Sequence, residues 1–432
     1  MSLFRPTVFT KSENCPSEVP PTAGRRGTLS SEPPLSATLH EAIMDSVSSV
    51  RDSLPKEHRA HFETLRQEII DFTKTHGISK DTLSKPDLLR EATGKLSIPD
   101  LERLALLLER FEYLIVKKEP WKNTEAIEYG EKFYHLKEQY NFQVSLLEQV
   151  GILENGVISG IDGHEYPVPT FEQIAIRLFE RREELSTKHD QGFTKLLLVP
   201  FGMSLDSLYE TLEQFLFKYK QNHPDFDFGK NKPLWRYGAC QDADVGESPN
   251  LVYYPKVFDK KHHQSRTKIQ ILEEQKDKKD FSPGWTVHLF QPSDPSNLDS
   301  TGLAPIPLDG EGVTYGEKIP RKDIETGKTL DEYLSILQAS QDDPESSYFQ
   351  ESGMTPEDWI VAFITHLTET TQLLDNCVDH TRGNICLVGS FFPSFLRVLY
   401  VHKDGNTKQI DFDVYLHSRG NWDIGTRFSV IV

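Results

Sequence analysis

Apolar positions recur at helical spacing through the first third of the chain and at a period of two near its end. Phe62, Leu65, Ile69 and Phe72 fall on one helical face, and Gly77 supplies a stop. A second helix is expected after Pro99, carrying Leu101, Leu104, Leu108, Phe111 and Ile115. A third is expected from about Thr124 to Val150. Stripes of this kind bury against one another, so residues 37–150 read as a helical bundle or hairpin array. Ahead of them, residues 1–36 are rich in Ser, Pro, Thr and Glu and have no face to bury, which predicts a disordered tail.

The pattern then shortens. GVISGIDGHEYPVPT, with Gly160, Gly163 and two prolines, reads as turns between short extended pieces. Thr170 and Gln173 form a capping-box pattern opening a helix through about Thr187. Lys195 to Val199 reads as a buried strand, followed by a helix that Ser204 caps. This makes residues 151–225 a small α/β segment. Farther on, Trp285–Phe290 is a strand, Ser265–Gln275 a short helix, and Thr329–Gln338 another helix. The best-marked helix begins at Thr355, with Pro356 in its first turn and Asp358 at the third position. Trp359, Phe363 and Leu367 form its buried stripe, and His366 beside them reads as a satisfied core or surface histidine. A sheet is expected from Leu387 onward.

The strictest alternation lies in the tail, residues 391–432. Tyr400, His402, Asp404 and Asn406 recur every second residue, and so do Asp411, Asp413, Tyr415 and His417. A period of two places such a set on one strand face. Rings, carboxylates and amides together are the groups that recognition surfaces use. The competing account is a solvated face of a half-buried sheet. The tail closes on Gly425, Thr426, Arg427 and an apolar run, Phe428 to Val432.

Composition narrows the function classes. A net charge of −18, from 48 basic and 66 acidic residues, argues against general nucleic-acid binding, which needs basic surface to neutralise phosphates. Four cysteines are too few for a disulfide framework in 432 residues. Cys377 and Cys386 flank His380, but a structural zinc site needs four ligands, or three plus water; only these three lie together, no CxxC accompanies them, and no metal or cofactor is expected. No apolar run approaches the ~18 residues of a membrane span. The N-terminus lacks an apolar core behind a basic start, so a cytoplasmic location is expected. Gly202, Ser204 and Asp206 miss the closing glycine of a nucleophile elbow, and Gly310 to Gly316 misses the dinucleotide spacing by one residue. No phosphate loop, HExxH or CxxC motif is present, and catalysis is not expected.

The order of strand, two helices and sheet-forming tail resembles the variable proteins of diversity-generating retroelements, in particular those of candidate-phyla bacteria. The residues that carry the resemblance are Gly284-Trp285, Lys328-Thr329, Glu332-Tyr333-Leu334, Thr355 to Trp359, Gly389 to Ser394, and Gly425 with Arg427. The stretches KEQYNFQVSLLEQVGIL, GIDGHEYPVP and FTKLLLVPFG extend it back to about residue 130. It implies a C-type-lectin-like domain of the formylglycine-generating-enzyme type, normally without enzyme activity, that displays a variable ligand-binding surface. Copying errors at template adenines would there admit Tyr, His, Asp, Asn and Ser but not Lys, Glu, Gln, Trp or Met. Tyr400, His402, Asp404, Asn406, Asp411, Asp413, Tyr415, His417, Ser418, Asn421 and Asp423 belong to the admitted set; Lys403, Lys408, Gln409 and Trp422 would be fixed scaffold.

The expectation is therefore an α+β protein, with a helical N-terminal half and a C-type-lectin-like mixed domain over 226–432 bearing a small antiparallel sheet. It would bind a protein or carbohydrate through those eleven residues, without nucleic-acid or membrane partners. An enzyme of the same fold acting on protein or glycan, or a helical scaffold protein, are the alternatives.

Overall fold

The computed structural model describes residues 49–79, 96, 98–118, 124–229, 232–246, 249–278, 280–310, 314–322, 324–375 and 384–432. The tail 1–36, Cys377 and His380 lie outside them. The chain is α+β, helical at its N-terminal end and built farther on from small antiparallel and mixed sheets. It divides into two compact units, residues 1–124 and 125–432. Among the described residues no helix is long and apolar enough to cross a membrane.

In the first unit, helices Arg59–Thr75 and Ile98–Lys117 bury one shared cluster. The two expected stripes meet there: Phe62, Leu65 and Ile69 against Leu104, Leu108 and Phe111, with the Phe62 and Phe111 rings 5.0 Å apart. Each such side chain contributes roughly 1.5–3 kcal/mol by leaving water. Gly77 ends the first helix in a left-handed conformation, φ +66°.

The third expected helix is two, Thr124–Tyr134 and Leu136–Gln149, and the second of them belongs wholly to the second unit. His135 breaks them at φ +46°. The physical reason is one side chain. Gln139 donates to the carbonyls of Tyr134 and Thr194, and its Oε1 accepts from the Leu196 amide at 2.7 Å. The helix is thereby fixed to a strand edge. The helix expected through Thr187 also splits, into Phe171–Glu180 and Arg182–Asp190. Its capping box on Thr170 is present. At the break, Arg181 turns its guanidinium to the Ile431 carbonyl and Gln350.

Strands run in chain order: a hairpin β1 (Val157–Ser159) and β2 (Glu165–Pro167), then β3 (Lys195–Val199), β4 (Leu234–Arg236), β5 (Val252–Tyr253), β6 (Thr286–Phe290), β7 (Thr314–Tyr315), β8 (Arg321–Lys322), β9 (Glu351–Gly353), β10 (Asn384–Cys386), β11 (Ser390–Phe391), β12 (Arg397–Lys403), β13 (Ile410–Leu416), β14 (Ile424–Gly425) and β15 (Phe428–Ile431). One sheet has the order β3-β6-β15-β9, all antiparallel. A second has the order β14-β10-β12-β13-β4, with parallel pairs at its two edges, and β1-β2, β5-β11 and β7-β8 pair separately. The boundaries expected at 150 and 225 both lie within residues 125–432, one compact unit: Gln139 bonds the Leu196 amide across the first, and β3 pairs with β6 across the second. The topology also divides the tail, because β12 and β13 sit in the second sheet and β15 in the first.

Helix Pro356–Thr370 is buried at every residue from Pro356 to Leu367, polar ones included. Its capping box, Thr355 with Asp358, closes as the sequence predicts. His366 is a core histidine: its Nδ1 accepts from the Leu303 amide at 3.0 Å. Burial, with Arg427 and Lys195 nearby, pushes its pKa down to about 4, so it stays neutral. At the helix N-terminus, Glu357 joins a buried ion cluster with Lys268 and Asp244.

Candidate ligand-binding face

The face is built on β12 and β13. Their register sets Tyr400 opposite Asp413, His402 opposite Asp411, and Val398 opposite Tyr415. Residues directly opposite on antiparallel strands share a face. Tyr400, His402, Asp411, Asp413 and Tyr415 are therefore neighbours, and all five are half-buried. The other face of the same strands carries Leu399, Val401, Ile410 and Phe412, all buried. The period of two thus separates an anchoring side from a partly solvated one.

The partly solvated side is not open along its whole length. Val398 and Cys386 share it and are fully buried, in the cluster that Tyr333, Leu330 and Phe391 form. Tyr400 and Tyr415 pack partly against that cluster. Their rings lie 5.6 Å apart, and the Tyr400 ring stacks on His402 at 4.7 Å. The open end is the end at His402 and Asp411. The Cys386 thiol, held in the apolar cluster, has its pKa pushed well above the usual value.

The remaining six predicted residues take other positions. Asp404 holds the tight turn after β12: its Oδ1 accepts from the amides of Asn406 and Thr407 and from the Thr407 hydroxyl. Asn406 is exposed on that turn, and Ser418 and Asn421 are exposed in the loop before β14. His417 contacts both carboxylate oxygens of Asp331, at 2.9 and 2.8 Å, fixing helix Leu330–Ser340. Asp423 accepts from Asn384 Nδ2 at 3.2 Å. Of the residues read as scaffold, Lys403 is buried and paired with Asp227 at 2.9 Å, while Trp422 is 52% exposed.

Three contributors were not legible from the tail. Trp235 lies in register with Asp411, on the parallel neighbour β4, and Tyr237 follows two residues later, 39% exposed. Asn384 precedes Ile385, which pairs with Val401, so Asn384 stands beside His402. The two-residue spacing of Trp235 and Tyr237 was the available signal, but nothing local says which strand β4 will join.

Electrostatically the open end is acidic. Burial first, then Asp404 and Asp413, pushes Asp411 up to about 6. Burial lowers the His402 pKa against the opposing pull of Asp413, Asp404 and Asp423. Elsewhere in the second unit, a cleft of about 360 Å³ is lined by Tyr254, Lys256, Arg266, Gln341 and Ser352. Its cations are already engaged, Lys256 by Gln341 and Arg266 by Glu274. Comparison with protein-family models, with curated proteins and with solved structures returns no match to this chain.

Proposed function

We propose that this protein binds a macromolecular ligand, protein or carbohydrate, through the β12–β13 face, and that the face is a display surface whose side chains are exchangeable. One observation carries the reading: Tyr400, His402, Asp411, Asp413 and Tyr415 share a half-exposed face while the opposite side of the same strands is anchored in the core. Trp235 and Tyr237 extend it with further rings. Tyr and Trp give large contact area at small rotamer cost, and Asp adapts its hydrogen bonds. The five residues are also of the types that adenine-directed diversification admits, which agrees with the resemblance to retroelement variable proteins and their lectin-like domains.

The test is a binding screen. The full chain is probed on glycan and protein arrays beside a Tyr400→Ser/Tyr415→Ser variant. Buried aromatic anchors commonly contribute about 2 kcal/mol or more to an interface. Signals on at least one ligand class should therefore fall by over an order of magnitude in the variant. Signals that are equal for both proteins would contradict the reading.

A further inference from the structure

We infer that His402, Asp404 and Asp411 hold a divalent first-row transition-metal ion of the zinc class at the open end of this face. One nitrogen or oxygen from each residue already lies within 4.8 Å of the other two. The arrangement has a local cause. His402 and Asp411 are direct cross-strand partners, and Asp404 follows two residues after His402, where the turn begins. The turn hydrogen bonds fall on Asp404 Oδ1, which leaves Oδ2 for an ion. Stacking on Tyr400 orients the imidazole. Ligands around a tetrahedral ion at about 2.0–2.2 Å stand roughly 3.3 Å apart, so a modest side-chain rotation at the half-exposed Asp404 completes the set.

Independent evidence comes from atoms that lack partners. Among the described residues, His402 Nδ1 and Asp411 Oδ1 are both shut from solvent with no hydrogen-bond partner. Beside them, Asn384 is 94% buried and its Oδ1 has no partner either, nor has Asp423 Oδ1. A buried polar atom left without a partner costs about 1–3 kcal/mol, so a ligand that satisfies several at once is favoured. A bound cation satisfies the nitrogen and the carboxylate oxygen together. It also offsets the mutual repulsion of Asp404, Asp411 and Asp413, against which Lys232 acts on Asp411.

The donor set selects the metal. Calcium takes six to eight oxygens and magnesium an octahedron rich in water, whereas one imidazole with two carboxylates suits zinc and its neighbours. Three protein ligands leave a coordination position for water or for an oxygen donor of a bound ligand. In that last respect the inference deepens the display-face reading and rests on it; the presence of the metal does not.

The experiment uses zinc alone. The metal-free full chain competes with a chromophoric chelator at pH 7.5. The wild type should take up one equivalent with at least micromolar affinity. His402→Phe, which keeps a ring on Tyr400, and Asp411→Asn should each weaken uptake about tenfold or more. His262→Gln, on the exposed Asp259 pair, should leave it unchanged. Zinc should raise the melting temperature of the wild type and of neither site variant, whose metal-free melting also shows that they fold. Superimposable titrations of wild type and His402→Phe, or equal displacement of zinc by calcium, would overturn the inference. Because no macromolecular ligand is present, a negative result here leaves the array outcome standing, and the reverse holds too.

Discussion

Lys268→Met should lower the free energy of unfolding by about 3–5 kcal/mol, read from urea denaturation of the full chain. The Lys268 ammonium is fully buried and lies 2.5 Å from Asp244 Oδ2 and 2.8 Å from Glu357 Oε1. It also donates to the Met203 carbonyl at 2.7 Å. Burial alone would depress its pKa, yet Glu357 and Asp244 outweigh burial and raise it, so the lysine stays charged. Removing it leaves two carboxylates with like charge, both shut from solvent. Tyr253 would still donate to Glu357, and the Leu205 amide to Asp244, but neither carries a countercharge. Three helix N-termini meet here, at Leu205, Lys268 and Pro356, so the damage spreads. Adding Glu357→Gln to Lys268→Met should recover part of the loss, since one of the two stranded charges is gone. A loss under about 1 kcal/mol for the single change would mean that the carboxylates reach solvent.

Phe412→Ala should cost a similar amount, about 3–5 kcal/mol by the same measurement. Phe412 is fully buried on the inner side of β13. Its ring meets Tyr209 edge-on at 4.7 Å and Trp359 edge-on at 5.1 Å. These contacts fasten the sheet to helices Leu205–Asn222 and Pro356–Thr370. Asp411 and Asp413, one residue away on either side, point to the opposite face, and their replacement by Asn should change the stability of the metal-free chain by under about 1 kcal/mol. The contrast within three consecutive residues reflects which side of the strand is anchored. Comparable losses at Phe412 and Asp413 would contradict it.

Much of this was readable in the sequence where a local rule decides the outcome. The capping residues Thr170, Ser204 and Thr355 open the helices they were expected to open, because a hydroxyl meeting an amide three residues on is a local fact. Tyr400 and His402 on β12 and Asp411, Asp413 and Tyr415 on β13 share one sheet face, because a period of two fixes the side within a strand, while Asp404 and Asn406 pass into the turn. What failed was non-local. The breaks at His135 and Arg181 follow from side chains reaching Thr194 and Ile431, which no window around residue 135 or 181 contains. The boundaries expected at 150 and 225 fall within one compact unit, because Gln139 reaches Leu196 and β3 pairs with β6 about ninety residues onward, partners that sequence periodicity does not encode. His417 and Asp423 matched the admitted residue types but became partners of Asp331 and Asn384, since composition does not say which polar side chain will find a mate. Trp235 and Asn384 joined the face for the same non-local reason that hid them.

The central claim is that one side of β12–β13 bears exchangeable side chains and the other holds the fold. Two displayed libraries measure it, scored by the fraction of full-length members that resist protease. One randomises Tyr400, Asp413 and Tyr415; the other randomises Leu399, Val401, Ile410 and Phe412. The account predicts that most of the first library stays resistant and almost none of the second does. Equal survival of the two libraries, or collapse of the first, would contradict it.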